Sequence, residues 1–240
     1  MAFKEGDFLE VEYSAWDAAT NDLIATTDEK LAKEKGIFNK DSSYGPTLVI
    51  LGSNSVIKGL DRELRGMNLN EMKKFTFKPE DAFGSRHEEL VRVMPLSDFR
   101  ARELNPYPGM RVEVENMAAT VKSVNSGRVV VDANHPYAGR DITYEVRIVG
   151  NITEPAQRVE ALGKTYNVKP SSVSMKGKEM VLSYDSKTKK NADYFVGKSS
   201  LVASILSLMK DIDKVEVQED YERAEIAKES EPKKAADGKD

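Results

Sequence analysis

The strand and helix signals that open this chain break off after Phe83-Gly84, give way to a valine-rich stretch with its own turns, and resume at Ile142. Before the break, Leu9, Val11 and Tyr13 alternate with Glu10 and Glu12, the period of a strand with one buried face. Gly52-Ser53-Asn54-Ser55 supplies a turn and a helix cap ahead of Val56, Ile57, Leu60 and Leu64, which share one helix face. Phe75 and Phe77 then alternate with Lys74, Thr76 and Lys78. Within the break, Val91, Val93, Val112, Val114, Val121, Val124, Val129 and Val131 are punctuated by Asn105-Pro106, Pro108-Gly109 and the hairpin signal Asn125-Ser126-Gly127. Past Asn134-His135-Pro136, Ile142, Tyr144, Val146 and Ile148 alternate with Thr143, Glu145 and Arg147, as in the opening strand. A closing strand like the first, reached across a foreign stretch, predicts a small β domain inserted into another domain.

Elsewhere the signals are sparser. Asp17 to Tyr44 is polar, with a short helix expected over Glu29–Lys35 and stopped by Gly36, and Pro46–Leu51 reads as strand. Beyond Glu154-Pro155, Met180–Tyr184 and Lys214–Gln218 read as strands, and Leu201, Ile205, Leu206 and Met209 as a helix face. From Ala224 onward the chain has too few apolar side chains to offset the entropy of ordering, so disorder is expected. A length of 240 residues gives room for two or three small domains. The expected fold class is α+β, with residues 1–84 plus 135–152 as an antiparallel sheet wrapped on a short helix. Residues 85–134 form the inserted β domain, 153–223 a C-terminal α+β domain, and 224–240 the tail.

Composition removes whole classes of function. With no cysteine, disulfides, thiolate nucleophiles and iron–sulfur clusters are excluded. The two histidines, His87 and His135, stand without ligand-like spacing, so neither a metal nor a cofactor is expected; His135 reads as a turn residue beside proline, and His87 as a surface residue. A net charge of −4 disfavours a nucleic-acid partner. No apolar run approaches a membrane span, and nothing at the start resembles a secretion signal, so a cytoplasmic protein free of the membrane is expected. Gly163-Lys164-Thr165 lacks the first glycine of a phosphate-binding loop, since Arg158 stands there. Asp61 and Glu63, interleaved with Arg62 and Arg65, read as a solvated helix face.

Taken in order, Tyr13, Thr26-Thr27, Leu51-Gly52, Val56-Ile57-Lys58-Gly59-Leu60 and Pro79-Glu80-Asp81-Ala82-Phe83-Gly84 resemble the FKBP family of peptidyl-prolyl cis/trans isomerases. The insertion that follows, returning through Asn134-His135-Pro136-Tyr137-Ala138-Gly139, is similar to the SlyD-like branch and its long archaeal relatives. The resemblance covers about residues 1–150. It implies an antiparallel sheet around a short helix, an insert-in-flap domain that binds unfolded chains, and a Thr26-Thr27 bulge.

The reaction is rotation about an X–Pro amide across a barrier of about 18–20 kcal/mol, which an apolar, shape-selective pocket lowers without a nucleophile. The resemblance implies Tyr13, Ile57, Phe83 and Tyr144 as catalytic residues, and Ile24, Ala25, Val56 and Leu60 as substrate-binding residues. The Ile57 N–H is the family's donor to a peptide carbonyl. Leu60 takes the place where the best-known members carry a tryptophan floor; Trp16 lies elsewhere in the sequence. Ala25 replaces the family's aspartate, leaving Tyr13 without its customary partner, and Phe83 replaces a frequent tyrosine. Met94, Met110 and Met117 are candidate client contacts in the insert, because flexible thioethers adapt to many sequences. Expected partners are unfolded or proline-containing polypeptides and, through the resemblance, FK506-like macrolides. No motif speaks to oligomeric state. Two readings stay open: an isomerase with chaperone activity from its insert, or a holdase-type chaperone whose isomerase site is weakened or inactive.

Overall fold

A computed structural model describes residues 3–188 and 190–222. The tail expected from residue 224 lies outside the described residues. The chain begins with β1 (Phe8–Asp17), β2 (Leu23–Thr26), α1 (Glu29–Glu34), β3 (Thr47–Ile50), α2 (Lys58–Leu64) and β4 (Met72–Phe77). The valine-rich stretch folds as β5 (Val91–Pro95), α3 (Leu96–Arg100), β6 (Arg111–Val114), β7 (Met117–Asn125) and β8 (Arg128–Asp132), and β9 (Ile142–Ile152) follows it. The rest is α4 (Pro155–Thr165), β10 (Ser172–Lys176), β11 (Glu179–Tyr184), α5 (Ala192–Leu208) and β12 (Lys214–Glu219). Three sheets result, ordered β2-β1-β9-β4 with β3 also on β1, β5-β8-β7-β6, and β10-β11-β12. This is the α+β class expected: β1 pairs antiparallel with β2 and β3, β4 with β9, β5 with β8, β7 with β6 and β8, and β10 with β11, while β11 and β12 run parallel.

The chain divides into two compact units, with β1 and β9 running through both. One holds Glu12–Pro46 and Val56–Ile148. In it the alternation of β9 is realised strictly: Ile142, Tyr144, Val146 and Ile148 are buried, and the residues between them are half-buried. β4 pairs antiparallel with it, Phe75 opposite Tyr144 and Phe77 opposite Ile142. Asp28 caps α1, its side chain accepting from the Lys30 and Leu31 N–H groups at 2.8 and 3.1 Å.

Two local expectations are corrected. Helix α2 starts at Lys58 with Ile57 as its N-cap and no side-chain cap, so Val56 and Ile57 precede the helix rather than open it. Ser55 is occupied elsewhere: its hydroxyl accepts from the Ile50 N–H at 3.1 Å and donates to the Ile50 carbonyl at 3.2 Å. The bulge lies at Ile24, not at Thr26-Thr27. Ala15 pairs with Ala25 and Trp16 with Leu23, leaving Ile24 as the extra residue, whereas Thr26 pairs in register with Ser14.

The insert has a core of its own, built on Phe99, Val112, Val114, Val121, Val129 and Val131. Its β7–β8 hairpin turns on Ser126 and Gly127, at φ of 47° and 77°, the left-handed pair that a two-residue turn requires. A polar neck joins it to the sheet of β1, β9 and β4. Asn134 Oδ1 accepts the His87 N–H and its Nδ2 donates to the His87 backbone carbonyl, both at 2.8 Å. Asp132, only 2% exposed, accepts Arg86 Nη2 at 2.6 Å and both the backbone N–H and side-chain amide of Asn134.

The other unit holds the described residues up to Val11, Thr47–Ser55 and the described residues from Val149. Phe8 and Ile50 enter one core with Val159, Leu162, Met180, Leu182, Leu201 and Ile205. Helix α4 was not anticipated, because polar residues dilute its face and only Val159, Leu162 and Gly163 are buried; Pro155 at its first turn sets its start. α5 begins at Asn191, whose side chain caps the Tyr194 N–H, well before the face visible in the sequence. Gly163 lies in the last turn of α4, where orphan carbonyls rather than N–H groups are presented, so the Gly-Lys-Thr triplet has no phosphate-binding geometry.

Two buried acids make the fold acid-sensitive. The Arg140 guanidinium, 2.5 Å from Asp17, and the Ala19 N–H hold the Asp17 carboxyl below its ordinary value. For Asp132 burial pushes the other way, but hydrogen bonds from Asn134 and Arg86 outweigh it and the carboxyl is again lowered. A depressed carboxyl stabilises the fold fully above the unfolded value of about 3.9 and loses that stabilisation as pH falls through the folded value. The thermal midpoint should therefore be flat near neutrality and fall below about pH 4. Asp17→Asn should be less stable at pH 7 and lose less between pH 5 and 3, as scanning calorimetry would register.

Candidate active site

Tyr13 on β1 and Tyr144 on β9 meet with ring centroids 5.7 Å apart, and Phe77 on β4 packs edge-on against Tyr144 at 6.0 Å. These neighbours follow from strand alternation, which aims Tyr13 and Tyr144 at the face that receives α2. The helix can come close because residue 59 is glycine: a Cβ there would stand 2.4 Å from Phe77 Cδ1. Leu60, next in α2, is fully buried, whereas Val56 and Ile57 are half-buried. Ile57 gives its carbonyl to the Asp61 N–H at 3.0 Å, and its own N–H has no acceptor among the described residues. A backbone donor at the mouth of an apolar helix start is available to a substrate carbonyl.

Ile24 and Ala25 are both half-buried. Since Ala25 pairs with Ala15, its side chain lies on the face of Ala15 and Tyr13 and is the diagonal neighbour of Tyr13. The methyl group of Ala25 offers the tyrosine no hydrogen-bond partner. Accordingly, no hydrogen bond engages the Tyr13 hydroxyl among the described residues. Burial pushes the Tyr13 hydroxyl above the ordinary tyrosine value. Burial, with repulsion from Tyr13, does the same to Tyr144 more strongly, so both stay protonated donors at neutral pH.

Phe83 is placed in a second aromatic group. It stacks on His135 at 4.3 Å and touches Tyr137 at 5.7 Å, and no ring contact joins these to Tyr13 and Tyr144 among the described residues. Trp16 lines a 410 Å³ groove shared with Tyr13, Thr27, Leu31, Met72 and Arg147, and Leu60 is not among its lining residues. In the insert, Met94 and Met110 are half-buried against the core, and Met117 is half-buried; the exposed large apolar side chains there are Val93 and Tyr107. His87 is exposed beside Glu89. Sequence reasoning passed over Phe77, His135 and Tyr137. Phe77 could have been found from its phase with Phe75; the loop aromatics had no periodicity to reveal them.

Nothing in this group of rings can attack a carbonyl. What it offers is a low-dielectric surface, neutral donors and a shape, the equipment of an enzyme that turns an X–Pro amide rather than cleaving it. Residues 2–98 match the model of the FKBP-type peptidyl-prolyl cis-trans isomerase family, and residues 92–137 match the one described as FKBP26, IF domain. The chain is 29% identical over 145 residues to the short-type peptidyl-prolyl cis-trans isomerase of Methanocaldococcus jannaschii, covering 60% of this chain and 91% of that one. It is 33% identical to the FKBP-type peptidyl-prolyl cis-trans isomerase SlyD of Vibrio cholerae, over 52% of this chain and 65% of that one. A 25% identity links it to the FKBP-type 16 kDa peptidyl-prolyl cis-trans isomerase of Escherichia coli, over 43% of this chain and 72% of the relative. Over residues 2–137 the chain is similar to FKBP-type peptidyl-prolyl cis-trans isomerases, and the second match is consistent with the SlyD-like form that carries an inserted domain.

Leu60 is fully buried on α2. Leu60→Ala should destabilise the protein by about 2–5 kcal/mol through lost burial and the cavity left behind, read from urea denaturation.

Proposed function

We propose that this protein isomerises X–Pro bonds in unfolded and partly folded polypeptides, with the proline ring seated among Tyr13, Ile24, Val56, Leu60, Phe83 and Tyr144. The unpartnered Ile57 N–H at the entrance to α2 carries this reading, since it can hold the peptide carbonyl while apolar walls receive the ring. In a dry pocket the planar amide, whose resonance separates charge, is disfavoured relative to the twisted one. The Tyr13 and Tyr144 hydroxyls, kept protonated by burial, are neutral donors that can follow the rotating carbonyl. FK506-like macrolides, which present a comparable ring and carbonyl, are proposed ligands of the same pocket. The proposed setting is the cytoplasm, in keeping with a chain without cysteine.

We assign a holding function to residues 85–134, which form a separate core and expose Val93 at 62% and Tyr107 at 63%, with Met94 and Met110 at the rim. Residues 153–223 are proposed as a further domain. Tethering an insert-bound client beside the pocket raises the local concentration of its prolines. Deleting residues 85–134 and closing the gap with a short loop should slow proline-limited refolding of a protein substrate strongly while leaving tetrapeptide isomerisation nearly unchanged. Equal losses on both substrates would overturn this division of labour.

Ala25 favours a subdued catalytic rate, because the residue beside Tyr13 has no carboxylate to orient it. Ala25→Asp should raise kcat/KM for a tetrapeptide, about 3- to 10-fold if one charge-assisted hydrogen bond is regained in the transition state. A native protein with no activity, and none in Ala25→Asp, would favour a chaperone whose isomerase site is inactive.

A further inference from the structure

His135 is solvent-exposed, yet its imidazole lies flat on Phe83, with planes 9° from parallel and centroids 4.3 Å apart. Its backbone is held on both sides. Asn134 before it is clamped to His87 by two hydrogen bonds, and Pro136 after it disfavours any but an extended conformation at 135. The His135 carbonyl accepts the Ala138 N–H at 2.9 Å, and Nδ1 accepts the Tyr137 N–H at 3.3 Å, which orients the ring.

Phe83 is held differently. Its backbone is fixed by the turn after it, where Gly84 at φ 82° donates to the Pro79 carbonyl and accepts from the Gly139 N–H. The terminal torsion of a phenylalanine has only a broad, two-fold preference, so the ring's orientation is left to its neighbours. Those neighbours are His135 across one face and Tyr137 at a 44° tilt. Both come from the loop that carries the chain back from the insert. We infer that His135 is a positioning residue for the isomerisation, setting the plane of Phe83 where that ring walls the proline site. The inference rests on the proposed place of Phe83 in the pocket.

The test is a double-mutant cycle on the full chain, with tetrapeptide kcat/KM and the thermal midpoint measured for each protein. His135→Ala should lower kcat/KM about 3- to 10-fold, the span that ring-pair energies allow, with the midpoint little changed. His135→Phe, which restores a stacking ring, should stay within about twofold of the native protein. In a Phe83→Ala background His135→Ala should cost nothing further. Should alanine lower the midpoint, His135→Gln, planar but without a ring, is read in its place and should show the same loss. Phe83→Ala impaired, but His135 variants unaffected or multiplying its loss, overturns the positioning role and leaves the pocket assignment standing. Phe83→Ala with native kcat/KM removes Phe83 from the pocket, and the inference falls with it.

Discussion

Asn134 lends its side-chain amide to the backbone of His87 as a strand partner would, donating once and accepting once at 2.8 Å. On that exchange depends how a whole domain is spliced between β4 and β9 without disturbing the sheet. The ends of an insertion must be brought together, and the entropy of closing them grows only slowly with length. A short polar neck can therefore suffice, provided its buried groups are satisfied. Asp132 meets that condition: almost fully buried, it receives Arg86 and both donors of Asn134. The insert can then keep its own valine core, with its hydrophobic demands met internally.

The site inherits its character from the sheet. Because side chains alternate, the face that packs on α2 brings Tyr13, Tyr144 and Phe77 together. Such a surface suits a reaction whose barrier is resonance. Catalysis of this kind depends on shape and on the orientation of a few neutral donors, so a single methyl group at Ala25 in place of a carboxylate matters through what it fails to orient. The close seating of α2 depends in turn on Gly59, whose missing side chain lets the helix approach Phe77.

The C-terminal part uses the same device twice. A Cβ at Gly163 would stand 2.4 Å from the Val168 carbonyl oxygen and one at Gly197 2.5 Å from that of Tyr166, so α4 and α5 close onto the same connecting segment by backbone contact. At the edge of this core Glu219 accepts from Tyr194 at 2.5 Å and pairs with Lys198. Burial opposes its charge, but these partners prevail and hold its carboxyl down to about 2. The cluster fastens α5 to β12 with a satisfied charge rather than with more apolar area.

Much of this was legible in the residues alone. The strict alternation around β1 and β9, the hairpin at Ser126-Gly127, the apolar helix face at Leu60 and Leu64, and the break after Gly84 are all local periodicities, and local sterics enforce them. The ordered motifs from Tyr13 to Phe83 carry the family resemblance. What the sequence could not decide was settled by contacts distant along the chain. Ser55 reads as a helix cap but is drawn to Ile50, because its hydroxyl finds both partners there. Helix α4 lacks a strong apolar stripe and forms because a core shared with Phe8 and Ile50 receives Val159 and Leu162. His135 reads as a turn residue, and only the return of the loop lays it on Phe83. Periodicity reports which face a residue takes within its own element; which partner covers that face depends on how the elements come together, and for turns and loops there is no period to read.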